Sequence, residues 1–192
     1  MKATKLHCFL CFEALENHIN KTKKDTIKKY FESQNISEKF PLFVTWTKNR
    51  ALRGCIGCFR QLPLVEGLCN YAVIAGTEDP RFNEIKSSEL KNLEVDVSLL
   101  HSFEECSDPF DWTIGKHGLI FNADGYESTF LPIVMEENKW TKEETLNHLS
   151  VKAGYKRNLT QSDYKRIKMK RYQSSYIGAT WKEYQDYLIS LN

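Results

Sequence analysis

The sequence has almost no charge surplus of either sign. Its 27 Lys and Arg stand against 25 Asp and Glu, a formal net charge of +2 over 192 residues. A dedicated nucleic-acid binder usually shows an obvious basic excess, so the balance argues against that class while leaving room for a local basic patch. No apolar run approaches the roughly 18 residues that a membrane helix needs, which predicts a chain that does not enter a bilayer. The first residues, Met1 to Phe12, lack a long apolar stretch and a small-residue cleavage site. They predict no secretory signal and an intracellular chain, cytoplasmic or nuclear. Only nine Gly and five Pro occur, and no low-complexity linker or internal repeat stands out. No P-loop, dinucleotide fingerprint, HExxH or GxSxG is present.

What is there is a globular mix: 41% hydrophobic, 12% aromatic and 27% charged. The length suits one hydrophobic core and is short for two independent ones. We therefore expect one module over residues 1–192, with a smaller lobe in its C-terminal part. Six cysteines (Cys8, Cys11, Cys55, Cys58, Cys69 and Cys106) are too sparse for a secreted disulfide scaffold and are expected as reduced thiols.

Periodicity gives the elements. Leu6, Phe9, Leu10, Leu15 and Ile19 predict an amphipathic helix over 5–19. The segment 21–39, rich in lysine up to Lys29, reads as a solvated helix end and loop. Leu42 to Thr47 is a strand, and Leu52 to Cys58 pairs back after a turn. Pro63 opens a helix that Gly76 caps. A short helix is expected over 87–90. Leu93 to Leu99 alternates as a half-buried strand. Trp112 to Ile114 and Leu119 to Phe121 read as strands around the turn Gly115-Lys116-His117-Gly118, and Asp124-Gly125 predicts a hairpin. Thr141 and Glu144 form a capping box, and Gly154 ends that helix. Ile167 to Tyr172 reads as a basic strand, and the last helix covers about 179–191. Strands joined by tight turns predict an α+β fold, its sheet mostly antiparallel and flanked by helices.

The densest chemistry lies in Leu52-Arg53-Gly54-Cys55-Ile56-Gly57. On a strand, Arg53 and Cys55 share a face, and a guanidinium beside a thiol favours the thiolate. Gly57 would leave a gap beside the sulfur, and Gly54 would permit close backbone approach or a bulge. The plain alternative is that Cys55 is a small buried hydrophobe. In Asp79-Pro80-Arg81-Phe82, Arg81 suits a carboxylate or phosphate, unless it only pairs with Asp79 to shape the turn. His117 is an acid or base near neutral pH, and Lys116 beside it suits an anion, unless both merely face water in a hairpin. The pairs Cys8/Cys11 and Cys55/Cys58 raise structural zinc, but the first lies in an apolar helical stripe and the second on opposite strand faces, so no metal is assigned. No cofactor is assigned either. The basic run Lys165 to Arg171 reads as a charge-protected edge strand, with nucleic acid or an acidic protein as the weaker alternative.

These residues resemble the AMME-syndrome candidate protein (AMMECR) family. The likeness starts from the hexapeptide Leu52–Gly57. It runs through Phe43-Val44-Thr45, Asp79-Pro80-Arg81-Phe82, Val97-Ser98-Leu99-Leu100, Gly115-Lys116-His117-Gly118-Leu119, Leu131-Pro132 with Val134, and Lys152-Ala153-Gly154-Tyr155. Cys8 to Phe12 and Ile167 to Ser174 are closer to the eukaryotic branch. Ile133 stands where prokaryotic members tend to carry glutamine. The resemblance implies an α+β fold with a larger and a smaller part and a cleft near the hexapeptide, but it implies no particular reaction. It also raises the weight of a single site built from Arg53, Cys55, Asp79, Arg81 and His117, with Gly54, Gly57 and Lys116 beside them. Its ligand would be a small anionic or nucleotide-like molecule. The alternative is a non-catalytic module for a protein or nucleic-acid partner. Partner and oligomeric state stay open.

Overall fold

The computed structural model describes residues 2–191. In chain order its elements are α1 (Lys5–Asn20), α2 (Thr26–Ser33), β1 (Lys39–Lys48), β2 (Ala51–Pro63) and α3 (Leu64–Thr77). A 3-10 turn (Ser87–Asn92) precedes β3 (Leu93–Glu105), β4 (Gly118–Ala123) and β5 (Tyr126–Phe130). Then come α4 (Pro132–Glu137), α5 (Lys142–Ala153), α6 (Gln161–Tyr164), β6 (Lys168–Thr180) and α7 (Trp181–Ser190). The fold is α+β. Its six strands are hydrogen-bonded in the order β2-β1-β3-β6-β4-β5, and β1–β2, β1–β3, β4–β5 and β4–β6 pair antiparallel. The chain divides into two compact units, residues up to 100 with those from 175 onward, and residues 101–174.

In the first unit, alternation along β1 turns Leu42, Val44 and Trp46 into a core with Phe12 and Leu15 of α1, Leu68 and Ala72 of α3, and Tyr184 of α7. Phe12 stacks on Tyr184 with ring centroids 5.6 Å apart and meets the edge of Trp46 at 5.2 Å. Burial of side chains this large contributes about 1.5–3 kcal/mol each. The indole N–H of Trp46 donates to the Ala72 carbonyl at 2.9 Å, which fixes α3 against the sheet.

The lysine-rich segment, expected as loop, contains α2. Ile27 and Phe31 bury one side of it. The buried Glu13 carboxylate accepts from the backbone N–H groups of Ile27 and Lys28, each at 3.0 Å, and so satisfies donors that a helix start leaves unpaired. Gly76 is not a cap. It lies inside α3, where an added Cβ would stand 2.8 Å from Leu15. Its job is to let α1 approach.

In the second unit, Leu119 and Phe121 of β4 meet Met135 of α4 and Leu146 and Leu149 of α5. Asp124 (φ 52°) and Gly125 (φ 83°) make the β4–β5 turn. Thr141 Oγ1 accepts from the Glu144 N–H, the Glu144 carboxylate accepts from the Thr141 N–H, and Gly154 at φ 116° ends α5, all as its sequence dictates.

Two further expectations fail. Trp112–Ile114 is not a strand. The Trp112 indole donates to the Pro109 carbonyl at 2.8 Å, and the Thr113 N–H donates to His117 Nδ1 at 2.9 Å, so local turn bonds replace a ladder. The basic strand β6 is not an edge either; it lies between β3 and β4. Two of its cations have acidic partners: Lys170 pairs with Glu105, and Arg171 with Glu104 and Asp111.

Candidate functional site

Strand alternation sends Cys55 to the face of β2 turned away from the helices. Its partner across the ladder is Thr45, and Thr45 in turn faces Asp96 of β3. The Thr45 hydroxyl donates to the Cys55 sulfur at 3.0 Å. Cys58 instead pairs with Leu42, whose side chain is in the core. The two cysteines thus lie on opposite faces, as alternation predicts.

One carboxylate organises the surroundings of Cys55. Asp79 is buried, and its Oδ2 accepts from the backbone N–H of Cys55 at 2.9 Å. The same carboxylate takes the Arg81 guanidinium through both oxygens, Nε to Oδ1 at 2.9 Å and Nη2 to Oδ2 at 2.7 Å. Arg81 Nη2 also donates to the Cys55 carbonyl at 3.2 Å. The guanidinium beside Asp79 holds its carboxyl far below the usual carboxylate range. Arg81 is pinned at one edge yet 54% exposed, so the rest of its fork can meet a ligand. The bond to Asp79 first, and a negative charge on Cys55 last, raise the affinity of Arg81 for its proton.

Arg53 is held by a carboxylate from another segment. The β1–β2 register shifts between Trp46 and Thr47, opposite Gly54 and Leu52, which leaves Arg53 at a bulge. Its guanidinium bonds Glu89 through Nε (3.1 Å) and Nη2 (3.0 Å) and reaches the carbonyls of Asn83 and Glu84. With Lys48 also on Glu89, that carboxyl is lowered to about 2, mainly by Arg53. Arg53 therefore ties the 83–89 segment to the sheet, while Arg81 bonds the Cys55 carbonyl directly.

The glycines are explained by packing. A Cβ on Gly54 would lie 2.0 Å from the Ala75 carbonyl oxygen, so α3 crosses directly over it. A Cβ on Gly57 would lie 2.3 Å from the Phe43 ring. The space at Gly57 is thus filled by that ring and by the Leu42 carbonyl oxygen, 2.2 Å from the same Cβ.

Lys116 and His117 lie in the second unit. His117 is buried, and its Nδ1 is taken by the Thr113 N–H. Burial first, then Lys116 and Arg171, push its pKa down, so the ring is neutral at pH 7.

The remaining thiols are buried to different degrees. Cys8 and Cys11 are enclosed in the first unit's core; burial pushes Cys8 up to about 12 and raises Cys11 as well. Cys69 and Cys106 are pushed up to about 11 for the same reason. Among the described residues no three His, Cys, Asp or Glu gather as a metal-binding group. No helix among them is long and apolar enough to cross a membrane.

Sequence reasoning missed Thr45 and Asp96. Both sit at polar positions of alternating strands, which was the available signal, but only the register sets them in one row with Cys55. Gly178 belongs to the same arrangement: a Cβ there would stand 2.4 Å from Asp96 Oδ1, so its bareness makes room for the carboxylate.

The protein is thus an α+β sheet protein in which a single aspartate holds a partly buried cysteine and an exposed arginine. It belongs to the AMMECR1 family, whose model matches residues 8–177. It is 38% identical over 188 residues to an uncharacterized protein of Schizosaccharomyces pombe, covering 94% of each chain. It is 36% identical over 189 residues to an uncharacterized protein of Arabidopsis thaliana, covering 93% of this chain and 86% of the other. The crystal structure of an uncharacterized protein from Pyrococcus horikoshii is similar at a TM-score of 0.76, with 29% identity and coverage of 92% and 93%.

Proposed function

We propose that the chain is an enzyme, or a component of one, acting on a small anionic or nucleotide-like substrate beside Cys55. Cys55 serves as nucleophile or acid/base. Arg81 binds the anion, and Asp79 positions both. The observation that carries this reading is the shared carboxylate, since a half-exposed guanidinium and a thiol-bearing residue are fastened to one buried Asp79. A salt bridge serving the turn alone has no need to hold the Cys55 backbone. In this reading Arg53, Gly54 and Gly57 shape the backbone around the thiol. His117 and Lys116 are not required by it. Because the family match runs from 8 to 177, we read residues 1–192 as one functional module.

Alkylation with two reagents tests the reading. Iodoacetate carries a carboxylate and iodoacetamide does not. Cys55 is expected to react faster than Cys69 with both, and to favour iodoacetate relative to a model thiol. Arg81→Met is expected to remove that preference several-fold while changing the iodoacetamide rate less. A Cys55 that reacts no faster than Cys69 sinks the catalytic reading and leaves a binding module.

A further inference from the structure

The second unit holds a recess that the Cys55 site does not use. It measures about 510 Å³ and is lined by Asp124 and Tyr126 of the β4–β5 hairpin, Tyr155, Lys156 and Arg157 after α5, and Arg166 before β6. Three cations face one carboxylate in this lining.

The two arginines are set by a carboxylate behind them. Asp163 is buried and accepts from Arg157 Nη1 and Nη2 at 2.6 and 2.9 Å and from Arg166 Nη2 at 2.5 Å. It also accepts from the Thr160 N–H and hydroxyl, each at 2.7 Å. Arg166 reaches Asp124 at 3.0 Å. Two guanidiniums that would repel each other are thus held side by side. Each stays about half exposed, at 54% and 51%. Lys156 is exposed beside them. Against Asp124 and Asp163 the cluster keeps one positive charge in surplus. Paired guanidinium forks suit the oxygens of a phosphate.

An aromatic surface adjoins the cations. Tyr126 is 45% exposed, and its ring meets Tyr155 at 5.1 Å. The Tyr155 hydroxyl donates to Asp124 at 2.9 Å, which fixes that ring. Gly154 brings the chain close: a Cβ there would lie 3.2 Å from the Tyr126 ring. An exposed tyrosine backed by another ring, next to cationic side chains, suits the stacking of a base.

We propose that this recess is a second binding site, for a phosphate-bearing planar ligand of the mononucleotide class, with the phosphate on Arg157, Arg166 and Lys156 and the base on Tyr126. The site is independent of Cys55.

Equilibrium dialysis of the full chain tests it, with AMP, inorganic phosphate and adenosine as probes. Arg81→Met is used as the background, so that the first site does not contribute. AMP is expected to bind tighter than either part. Tyr126→Ala is expected to weaken AMP about tenfold and leave phosphate unchanged. Lys156→Glu, at an exposed side chain outside the Asp163 pairing, is expected to weaken AMP and phosphate alike. Raised salt is expected to weaken AMP and phosphate. The proposal is overturned if AMP fails to bind, if AMP binds no tighter than phosphate, or if neither substitution changes AMP binding.

Discussion

The backbone N–H of Cys55 donates to the carboxylate of Asp79 at 2.9 Å, joining residues 24 apart in sequence. The same carboxylate grips Arg81. Asp79→Asn keeps the shape and removes the charge. The variant is expected to lose about 1.5–3 kcal/mol, the range for hydrogen bonds to a charged group. Urea unfolding at unchanged m-value measures the loss. Arg81, still present but unfastened, is also expected to lose part of its preference for iodoacetate at Cys55. An Asn variant with wild-type stability and wild-type preference would mean that Asp79 organises nothing.

Gly54 carries a sharper steric prediction. A methyl group there meets the Ala75 carbonyl oxygen and carbon at 2.0 and 3.1 Å. Both atoms are backbone, so neither can swing away, and α3 must shift. Gly54→Ala is expected to cost about 3 kcal/mol or more, at the upper end of overpacking effects. Gly125→Ala meets nothing within 4 Å and suffers only from its φ of 83°, a cost of about 1–2 kcal/mol. Thermal unfolding of the two variants side by side tests the difference; equal midpoints would refute the packing argument.

Local chemistry was the part legible in the sequence. The capping box of Thr141 and Glu144 with Gly154 lies within one helix, so neighbouring residues state it completely. The strand alternation that separates Cys55 from Cys58 is equally local. Non-local facts were not legible. Arg53 sits at a bulge and is bound by Glu89, 36 residues away, a partner that no local pattern reports. β6 is central because of strand order, which its basic composition cannot report. Trp112 has a strand-former's side chain, yet its indole and the neighbouring Thr113 N–H are claimed by turn bonds. Segment 21–39 reads as polar because α2 buries few apolar side chains, and Glu13, which satisfies its first donors, belongs to α1.

The Arg53–Glu89 tie predicts part of the acid sensitivity. Glu89 is lowered to about 2, mainly by Arg53. An acid whose folded-state pKa is depressed contributes stability above its unfolded value and loses it as pH falls through the folded one. The contribution is therefore full above about pH 4.5 and fades towards pH 2. Glu89→Gln is expected to be less stable than wild type at pH 7, with the gap narrowing by pH 3. Urea midpoints at the two values measure it. A gap of constant size would show that the carboxylate charge is not what Arg53 and Lys48 hold.

His7 predicts a separate loss at milder acidity. It is buried on α1; its Nδ1 accepts from the Thr4 N–H at 2.8 Å, and its Nε2 is buried with no partner. Its ring lies 5.1 Å from that of Phe31. Burial lowers its pKa from 6.5 to about 4. The unfolded chain therefore takes up this proton first as pH falls, and stability drops between about pH 6.5 and pH 4. The full effect is about 3 kcal/mol. His7→Gln keeps an acceptor for Thr4 but does not titrate. It is expected to flatten the stability profile across that interval while leaving the Glu89 decline below it. If wild type and His7→Gln trace parallel profiles from pH 7 to 4, the ring is protonated without penalty and its burial is not what sets its charge.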